Sequence, residues 1–217
     1  MRKRIDTHVV MEKIVPRITK EYRKLYPIPE NHQSLAIFSA DCEDVMWLAV
    51  DDATKKAKIK VIQIETVYGG VAHSRSTFGG EITAIISGET VSDVKSGLRY
   101  AREYIETKSG NYHLNEEGTL GYYVDCVPHI GKYYQETLGL AEGTSIAYLV
   151  SAPIESTYGL DRALKAGDVK IAELFETPSR VNTGGAILYG TESACRAALE
   201  SFIEAVEYCA FHPMEIE

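Results

Sequence analysis

An internal repeat constrains the fold of this chain more than any other feature of its sequence. VPRITKEY at 15–22 matches VPHIGKYY at 127–134, and DDATKKAKIKV at 51–61 matches DRALKAGDVKI at 161–171. Shorter matches fall in the same order, pairing 34–37 with 145–148, 79–88 with 184–190 and 92–101 with 193–202. A period of roughly 110 residues predicts two similar domains, which we place at 1–110 and 111–217.

Each copy mixes helical and strand-like patterns, which predicts an α+β fold with an antiparallel sheet flanked by helices. Apolar residues from Val9 to Leu25 recur at helical spacing and predict an opening helix that Pro27 ends. Thr90 or Ser92 is predicted to cap a later helix. The turn-rich segment 110–125 is expected to join the domains and to form a hairpin.

Charge and hydropathy exclude two classes of partner. The formal net charge of −8 makes binding to nucleic acid phosphates unfavourable. There is no apolar run of about 18 residues, so we predict no membrane span. The basic start of the sequence lacks the apolar stretch of a secretion signal, and we therefore predict a cytoplasmic protein.

The four cysteines are scattered and form no CxxC motif. Cys195 and Cys209 fit an amphipathic helical pattern and are interpreted as reduced core residues. Cys126 lies beside Asp125 and close to His129 in the sequence. A buried thiol within a helix is the favoured interpretation of Cys126, and a metal site is the open alternative.

Two polar, glycine-bounded loops occupy equivalent places in the repeats. The first is YGGVAHSRSTFGGE, from Tyr68 to Glu81, and the second is TPSRVNTGG, from Thr177 to Gly185. Flexible polar loops between rigid strands often carry function. The alternative is a pair of surface loops without a role.

Several stretches together resemble one family. They are ALKAGDV at 163–169, SADCEDV at 39–45, AHSRSTFGGE at 72–81, AYLVSAPIESTYGLDRALK at 147–165 and the segment around 191–205. The chain resembles the circularly permuted, tandem-domain shell proteins of bacterial microcompartments, in particular those of ethanolamine utilization. The resemblance covers nearly the whole sequence. It implies a structural protein rather than an enzyme.

The family's assembly is a homotrimer that imitates a hexamer and tiles with other shell proteins into a two-dimensional layer. The resemblance implies a central pore, gated by the two polar loops. The residues matched to that pore are Tyr68, Gly69, Gly70, His73, Ser74, Arg75, Phe78, Gly79, Gly80, Arg180, Val181, Asn182 and Gly184. Three copies of Arg75 near one axis would repel one another and favour an open or anion-occupied pore. Pairing of the loop arginines with Glu65 or Glu173 is the alternative.

Smaller pores within each subunit are also implied. Glu43, Asp44 and Glu81 match acidic positions that line them, and Tyr112 is the candidate for a neighbouring aromatic side chain. Such carboxylates would attract a cation such as protonated ethanolamine. A plainer interpretation makes Asp41 or Asp44 a helix N-cap and Glu43 a charge favoured by the helix dipole.

Two lysines match the family's tiling edge, where subunits of the layer meet. Lys165 fits that position, and Lys55 is its partner in the first repeat. Solvated surface lysines are the alternative. No cofactor is required by these expectations. Aromatic residues at a pore could receive a flat corrinoid such as cobalamin as a bound or transported ligand, but we assign no site to it.

Two other functions compete with the shell hypothesis. An enzyme is disfavoured because the sequence contains no GxSxG, P-loop or HExxH motif. A small-molecule-binding allosteric protein without a shell role would share the tandem domains. Assembly distinguishes this protein from a shell protein, since ligand binding without a two-dimensional lattice would favour the allosteric protein.

Overall fold

The contacts of the chain divide it into two compact units. The computed structural model describes residues 3–67, 81–116, 120–177 and 183–214. Unit 1 contains Met1–Ile5, Asn111–Ile130 and Leu138–Glu217, and unit 2 contains Asp6–Gly110 and Gly131–Thr137. Each unit therefore combines residues from both halves of the sequence.

Unit 2 is built on a four-stranded antiparallel sheet in the order β1-β2-β4-β3. Its helices and strands are β1 (Val9–Val15), α1 (Lys20–Arg23), β2 (Ser34–Ala40), α2 (Glu43–Lys56), β3 (Ile59–Val67), β4 (Glu81–Gly88), α3 (Val91–Thr107) and most of α4 (Lys132–Leu138). The fully buried side chains of Leu35, Phe38, Met46 and Ile86 lie in its core. Burial of this apolar surface provides the main stabilisation of the unit.

Unit 1 has a five-stranded antiparallel sheet in the order β5-β6-β7-β9-β8. It comprises β5 (Tyr112–His113), β6 (Gly121–Val127), β7 (Ser145–Ser151), α5 (Pro153–Ala166), β8 (Val169–Phe175), β9 (Gly184–Gly190) and α6 (Glu192–Phe211). Tyr122, Leu149, Leu188 and Phe202 belong to one buried cluster between the sheet and α6. The β5–β6 pairing confirms the expected hairpin.

The repeat is confirmed in the details of strand pairing. Ser34 pairs with Gly88 in unit 2, and Ser145 pairs with Gly190 in unit 1. The hydroxyl of Ser34 donates to the Pro16 carbonyl at 2.7 Å, and that of Ser145 donates to the Pro128 carbonyl at 2.6 Å. A bulge interrupts both the β3–β4 and the β8–β9 ladders at equivalent positions. The strands β1–β4 and β6–β9 thus share their order and this bulge, whereas the strand β5 and the register shift between Val9 and Met11 each belong to one sheet.

The prediction of an opening helix from Val9 to Leu25 is wrong. Residues Val9–Val15 form β1, which pairs with β2 at the edge of the sheet, and the helix is limited to Lys20–Arg23. Val9, Val10 and Ile14 fit a strand as well as a helix, because β-branched residues favour extended backbone. Pairing with β2 satisfies the backbone hydrogen bonds of this segment and therefore selects the strand over the helix.

Some helix starts and cysteine positions were predicted correctly and others were predicted wrongly. Thr90 caps α3 and forms a capping box with Asp93, as expected. The N-cap of α2 is Cys42, so neither Asp41 nor Asp44 has that role. Cys126 lies in β6 and not in a helix. Within the described ranges, no helix is both long enough and apolar enough to cross a membrane.

Candidate functional site

Acidic residues gather where β2 ends and α2 begins. β2 ends at Ala40, which pairs with Ile82 of β4, so Glu81 starts β4 at the same end of the sheet. Glu43 and Asp44 are the first two residues of α2. The side chain of Asp44 is buried, whereas those of Glu43 and Glu81 are half-buried. The fold therefore brings the three predicted carboxylates to one end of one sheet.

A fourth carboxylate, Asp41, holds this end of the sheet to β1. Its Oδ1 accepts the backbone N–H of His8 at 2.7 Å, and its Oδ2 lies 3.2 Å from His8 Nδ1. The backbone N–H of Asp41 donates to the His8 carbonyl at 3.2 Å. Asp41 is buried and serves the structure, which the sequence did not reveal because His8 is distant along the chain.

The field of these carboxylates acts on the thiol of Cys42. Burial is the main cause that raises the pKa of Cys42, and the negative charges of Asp44, Asp41 and Glu43 raise it further. Asp44, Asp41 and Glu43 therefore all lie close enough to act on this buried thiol. A negative potential in a poorly solvated region favours a cation. The helix dipole also favours carboxylates in the first turn of α2, so both interpretations of Glu43 fit this geometry.

The equivalent end of the second sheet is different. Ser151 ends β7 and pairs with Gly184 of β9, and α5 begins at Pro153. A Cβ at Gly184 would lie 1.9 Å from Thr177 Cγ2 and 2.7 Å from Ser156 Oγ, so only glycine fits there. The first turn of α5 contains one carboxylate, Glu155, where that of α2 contains Glu43 and Asp44, so the described residues place the larger acidic group in the first repeat.

Tyr112 lies in unit 1. It pairs with Tyr122 across the β5–β6 hairpin, and their rings stack with centroids 5.6 Å apart. The carboxylates belong to unit 2, and a place for Tyr112 beside them stays a prediction.

Most residues of the predicted central pore lie outside the described ranges. The structure does not describe residues 68–80 and 180–182. Every residue assigned to the central pore, except Gly184, lies in these two ranges. Gly184 opens β9 and is followed by Gly185, where a Cβ would lie 1.9 Å from the Leu149 carbonyl oxygen. These two glycines therefore allow close packing of β9 against its neighbours.

The two predicted edge lysines lie in the last turns of equivalent helices and differ in exposure. Lys165 Nζ pairs with Asp161 at 2.6 Å on an exposed part of α5. Lys55 Nζ lies 3.4 Å from Asp52 and 3.9 Å from Asp51, and it is more buried. Lys165 thus has the exposure that a contact between tiles needs, and the tiling role of both lysines stays a prediction.

None of the described cysteines forms a disulfide. Cys195 is fully buried, as expected, whereas Cys209 is only partly buried. Burial raises the pKa of Cys126, with Asp125 and Glu192 adding to the effect and Arg196 opposing it. Among the described residues, no group of three or more His, Cys, Asp or Glu side chains could hold a metal ion.

Sequence and structure comparisons identify the family. The BMC domain model matches residues 34–116. The chain is 38% identical to the bacterial microcompartment shell protein EutL of Clostridium perfringens, over 97% of both chains, and 32% identical to EutL of Escherichia coli, over 97% of this chain and 96% of that one. The crystal structure of EutL from Leptotrichia buccalis superposes with a TM-score of 0.92 at 38% identity, covering 99% of both chains.

A more distant structure shares the fold alone. It is a trimeric microcompartment shell protein, PduB, with a TM-score of 0.77 at 18% identity, covering 93% of this chain and 89% of that one. The tandem BMC architecture agrees with the two similar sheets described above. The chain belongs to the bacterial microcompartment shell proteins with tandem BMC domains, within the EutL group.

Proposed function

We propose that three copies of this chain form a flat subunit of a microcompartment shell, and that its acidic cluster lines a small opening for organic cations such as protonated ethanolamine. The observation that carries the second part is the convergence of Glu43, Asp44 and Glu81 at one end of the β2–β4 pair. The relatives named as EutL shell proteins support the shell role, and the similar structure of an ethanolamine utilization protein supports the link to ethanolamine.

The chemistry of the cluster suits a small amine. A primary ammonium carries three donors and one positive charge, and carboxylates accept those donors in short, charge-assisted bonds. The same negative charges would repel anions. Since α5 carries only Glu155 where α2 carries Glu43 and Asp44, each chain would supply one such opening and each trimer three.

The trimer and the gated pore belong to the same proposal. The shared fold with a trimeric PduB supports the threefold assembly. The loops Tyr68–Glu81 and Thr177–Gly185, most of which lie outside the described residues, would meet at the threefold axis and gate the larger pore. In this role the protein has no catalytic activity, and a turnover assay with small amines tests that part.

The test combines assembly with binding. We expect a trimer by light scattering and sheets or tubes on overexpression. Calorimetry should detect ethanolamine binding that the double change Asp44→Asn with Glu81→Gln weakens by about tenfold or more, which corresponds to about 1.4 kcal/mol. Glu155→Gln is the matched control, because Glu155 lies in the first turn of the equivalent helix α5.

The outcomes separate the parts of the proposal. Unchanged affinity in the double variant, with the trimer intact, would remove the acidic opening and leave the shell role. A chain that stays monomeric at high concentration would contradict the shell role. Ligand binding by a protein that forms no layer would favour the allosteric alternative.

A further inference from the structure

A groove lies between α5 and α6, and both helices belong to unit 1. Its volume is about 480 Å³, which is within the range of pockets that bind small organic molecules. We call it the α5–α6 groove. None of its lining residues belongs to the predicted pores or to the tiling edge. The lining residues are Tyr158, Arg162, Ser201, Glu204, Ala205 and Tyr208.

Two tyrosines occupy the equivalent positions in unit 2. The match of 92–101 with 193–202 aligns Tyr100 with Ser201, and its continuation along the same helices aligns Tyr104 with Ala205. Tyr104 is only 8% exposed. Two rings on α3 therefore correspond to a hydroxymethyl group and a methyl group on α6. The smaller side chains leave space between the helices of unit 1.

A charged network joins α2 to α3 at the same positions in unit 2. Asp52 of α2 accepts a hydrogen bond from Lys56 Nζ and lies 3.8 Å from Lys108 Nζ. Lys56 Nζ lies 5.5 Å from the centroid of the Tyr100 ring, and Lys108 Nζ lies 5.9 Å from that of Tyr104. The two lysines thus connect one carboxylate with both rings.

Unit 1 has none of the three charged members of this network. One arginine and two residues other than lysine stand at the matching positions, namely Arg162 for Asp52, Ala166 for Lys56 and Cys209 for Lys108. The charge on the first helix is reversed in sign, and both bridging lysines are replaced. The α5–α6 groove therefore differs from its counterpart in charge as well as in space.

Arg162 directs its guanidinium to a neutral partner. Its Nη2 donates to the Tyr158 hydroxyl at 2.8 Å, and its guanidinium carbon lies 5.2 Å from the centroid of the same ring. The Ser201 hydroxyl donates to the backbone carbonyl of Arg162 at 3.3 Å, which links the two helices here. Arg162 is exposed. Its planar fork suits a carboxylate, which can accept two parallel hydrogen bonds.

Aromatic rings form one wall of the groove. The rings of Tyr158 and Tyr208 stack with centroids 6.2 Å apart, and Tyr208 stacks on His212 at 4.5 Å. Tyr208 is 45% exposed. Ala205, one turn earlier on α6, contributes only a methyl group. This wall suits a flat apolar ring, because aromatic rings attract one another in stacked or edge-on pairs.

Glu204 supplies the charge opposite to that of Arg162. It is exposed and lines the groove from α6, whereas Arg162 lines it from α5. A carboxylate at this place would accept the donors of an ammonium group. It would also repel a ligand with several negative charges, such as a nucleotide. A ligand that matches both side chains carries one carboxylate and one ammonium group.

We propose that the α5–α6 groove binds a small aromatic zwitterion of the amino acid type. The ligand carboxylate would bind Arg162, its ammonium group would face Glu204, and its ring would pack against Tyr158 and Tyr208. All of these residues belong to unit 1. The inference goes beyond the proposed shell role and does not depend on the acidic cluster.

Calorimetry with tryptophan as the probe tests the ligand class. We expect one tryptophan to bind per chain. Tryptamine lacks the carboxylate and indole-3-propionate lacks the ammonium group, so each should bind about tenfold or more weakly than tryptophan. Tryptamine binding as tightly as tryptophan would overturn the inference, because Arg162 would then have no part in recognition.

Two variants test the place of binding. Arg162→Gln should weaken tryptophan binding about tenfold or more. Arg99→Gln is the matched control, because Arg99 lies over the Tyr100 ring at 4.3 Å in unit 2, outside the groove. Ala205→Tyr introduces the side chain that unit 2 has at this position and should abolish binding. If Ala205→Tyr lowers the unfolding midpoint, Arg162→Gln alone decides.

The results that overturn the inference are distinct from failure of the proposed function. They are the absence of tryptophan binding at millimolar concentration and equal affinities in Arg162→Gln and Arg99→Gln. Tryptophan binding that is lost in the double variant Asp44→Asn with Glu81→Gln, but kept in Arg162→Gln, would place the ligand at the acidic cluster and also overturn it. The assembly and ethanolamine measurements decide the proposed function separately.

Discussion

Asp51 and Gly131 are joined by a hydrogen bond of 2.7 Å between the carboxylate and the backbone N–H, although 80 residues separate them in the chain. Burial raises the pKa of Asp51, and the N–H groups of Gly131 and Tyr134 oppose that rise. Both residues are buried. The pair fixes the segment 131–137 on α2.

Asp51→Asn should lower the free energy of unfolding by about 1–3 kcal/mol, because the amide replaces one of two accepting oxygens by a donor facing N–H groups. For a chain of this size, thermal unfolding should shift by roughly 2–4 °C per kcal/mol. Asp168→Asn, at an exposed position, is the control and should have no effect. Identical unfolding midpoints for the two variants would contradict a stabilising role for Asp51.

Gly131→Ala should destabilise unit 2 more than Gly139→Ala destabilises unit 1. A Cβ at Gly131 would lie 2.2 Å from a backbone carbonyl, whereas none of the atoms around Gly139 lies within 4 Å of such a Cβ. Gly139 has a φ of 65°, so alanine there should cost only about 1–2 kcal/mol in backbone strain. Urea unfolding of both variants measures the order, and a reversed order would exclude close packing at Gly131.

The stability of the chain should fall in mild acid, partly through His32. Burial lowers the pKa of His32 below its ordinary 6.5, and Glu89 and Asp93 only partly oppose this. As the pH falls below that ordinary value, the unfolded chain binds a proton that the folded chain resists, so stability is lost until the lowered pKa has been passed.

His32→Gln should therefore reduce the loss of stability between about pH 7.5 and about pH 5.5, measured by urea unfolding at each pH. His129→Gln is the control, because His129 is exposed. If His32→Gln and the unmodified chain lose stability equally over this range, the proton linkage of His32 has no measurable part in it.

The buried thiols should resist alkylation in the folded protein. Burial raises the pKa of Cys195 to about 11 and raises that of Cys42 as well, and the thiolate is the reactive form. Timed maleimide labelling followed by mass spectrometry should modify both far more slowly than the partly exposed Cys209. In urea the rates should converge. Rapid labelling of native Cys42 would show that its site opens to solvent.

Local features of the sequence were sufficient for several elements. The Thr90 cap, the hairpin after residue 110 and the paired strands of each repeat all follow from short patterns that the structure confirms. Residues 9–15 were predicted wrongly, because their apolar spacing fits two periodicities and only pairing with β2 selects the strand. The positions of Glu43, Asp44 and Glu81 came from the family resemblance, and their role in a pore stays a prediction.

The sequence by itself determined that two similar α+β modules follow one another, since the repeated residues and the alternation of strands and helices are properties of neighbouring positions. Only the tertiary structure decided that Asp51 is covered while Asp161 is exposed. Both aspartates occur in matching sequences, so their difference cannot be read from local pattern. The difference depends on the place to which the chain returns 80 residues later. Strand pairing and core packing determine that place.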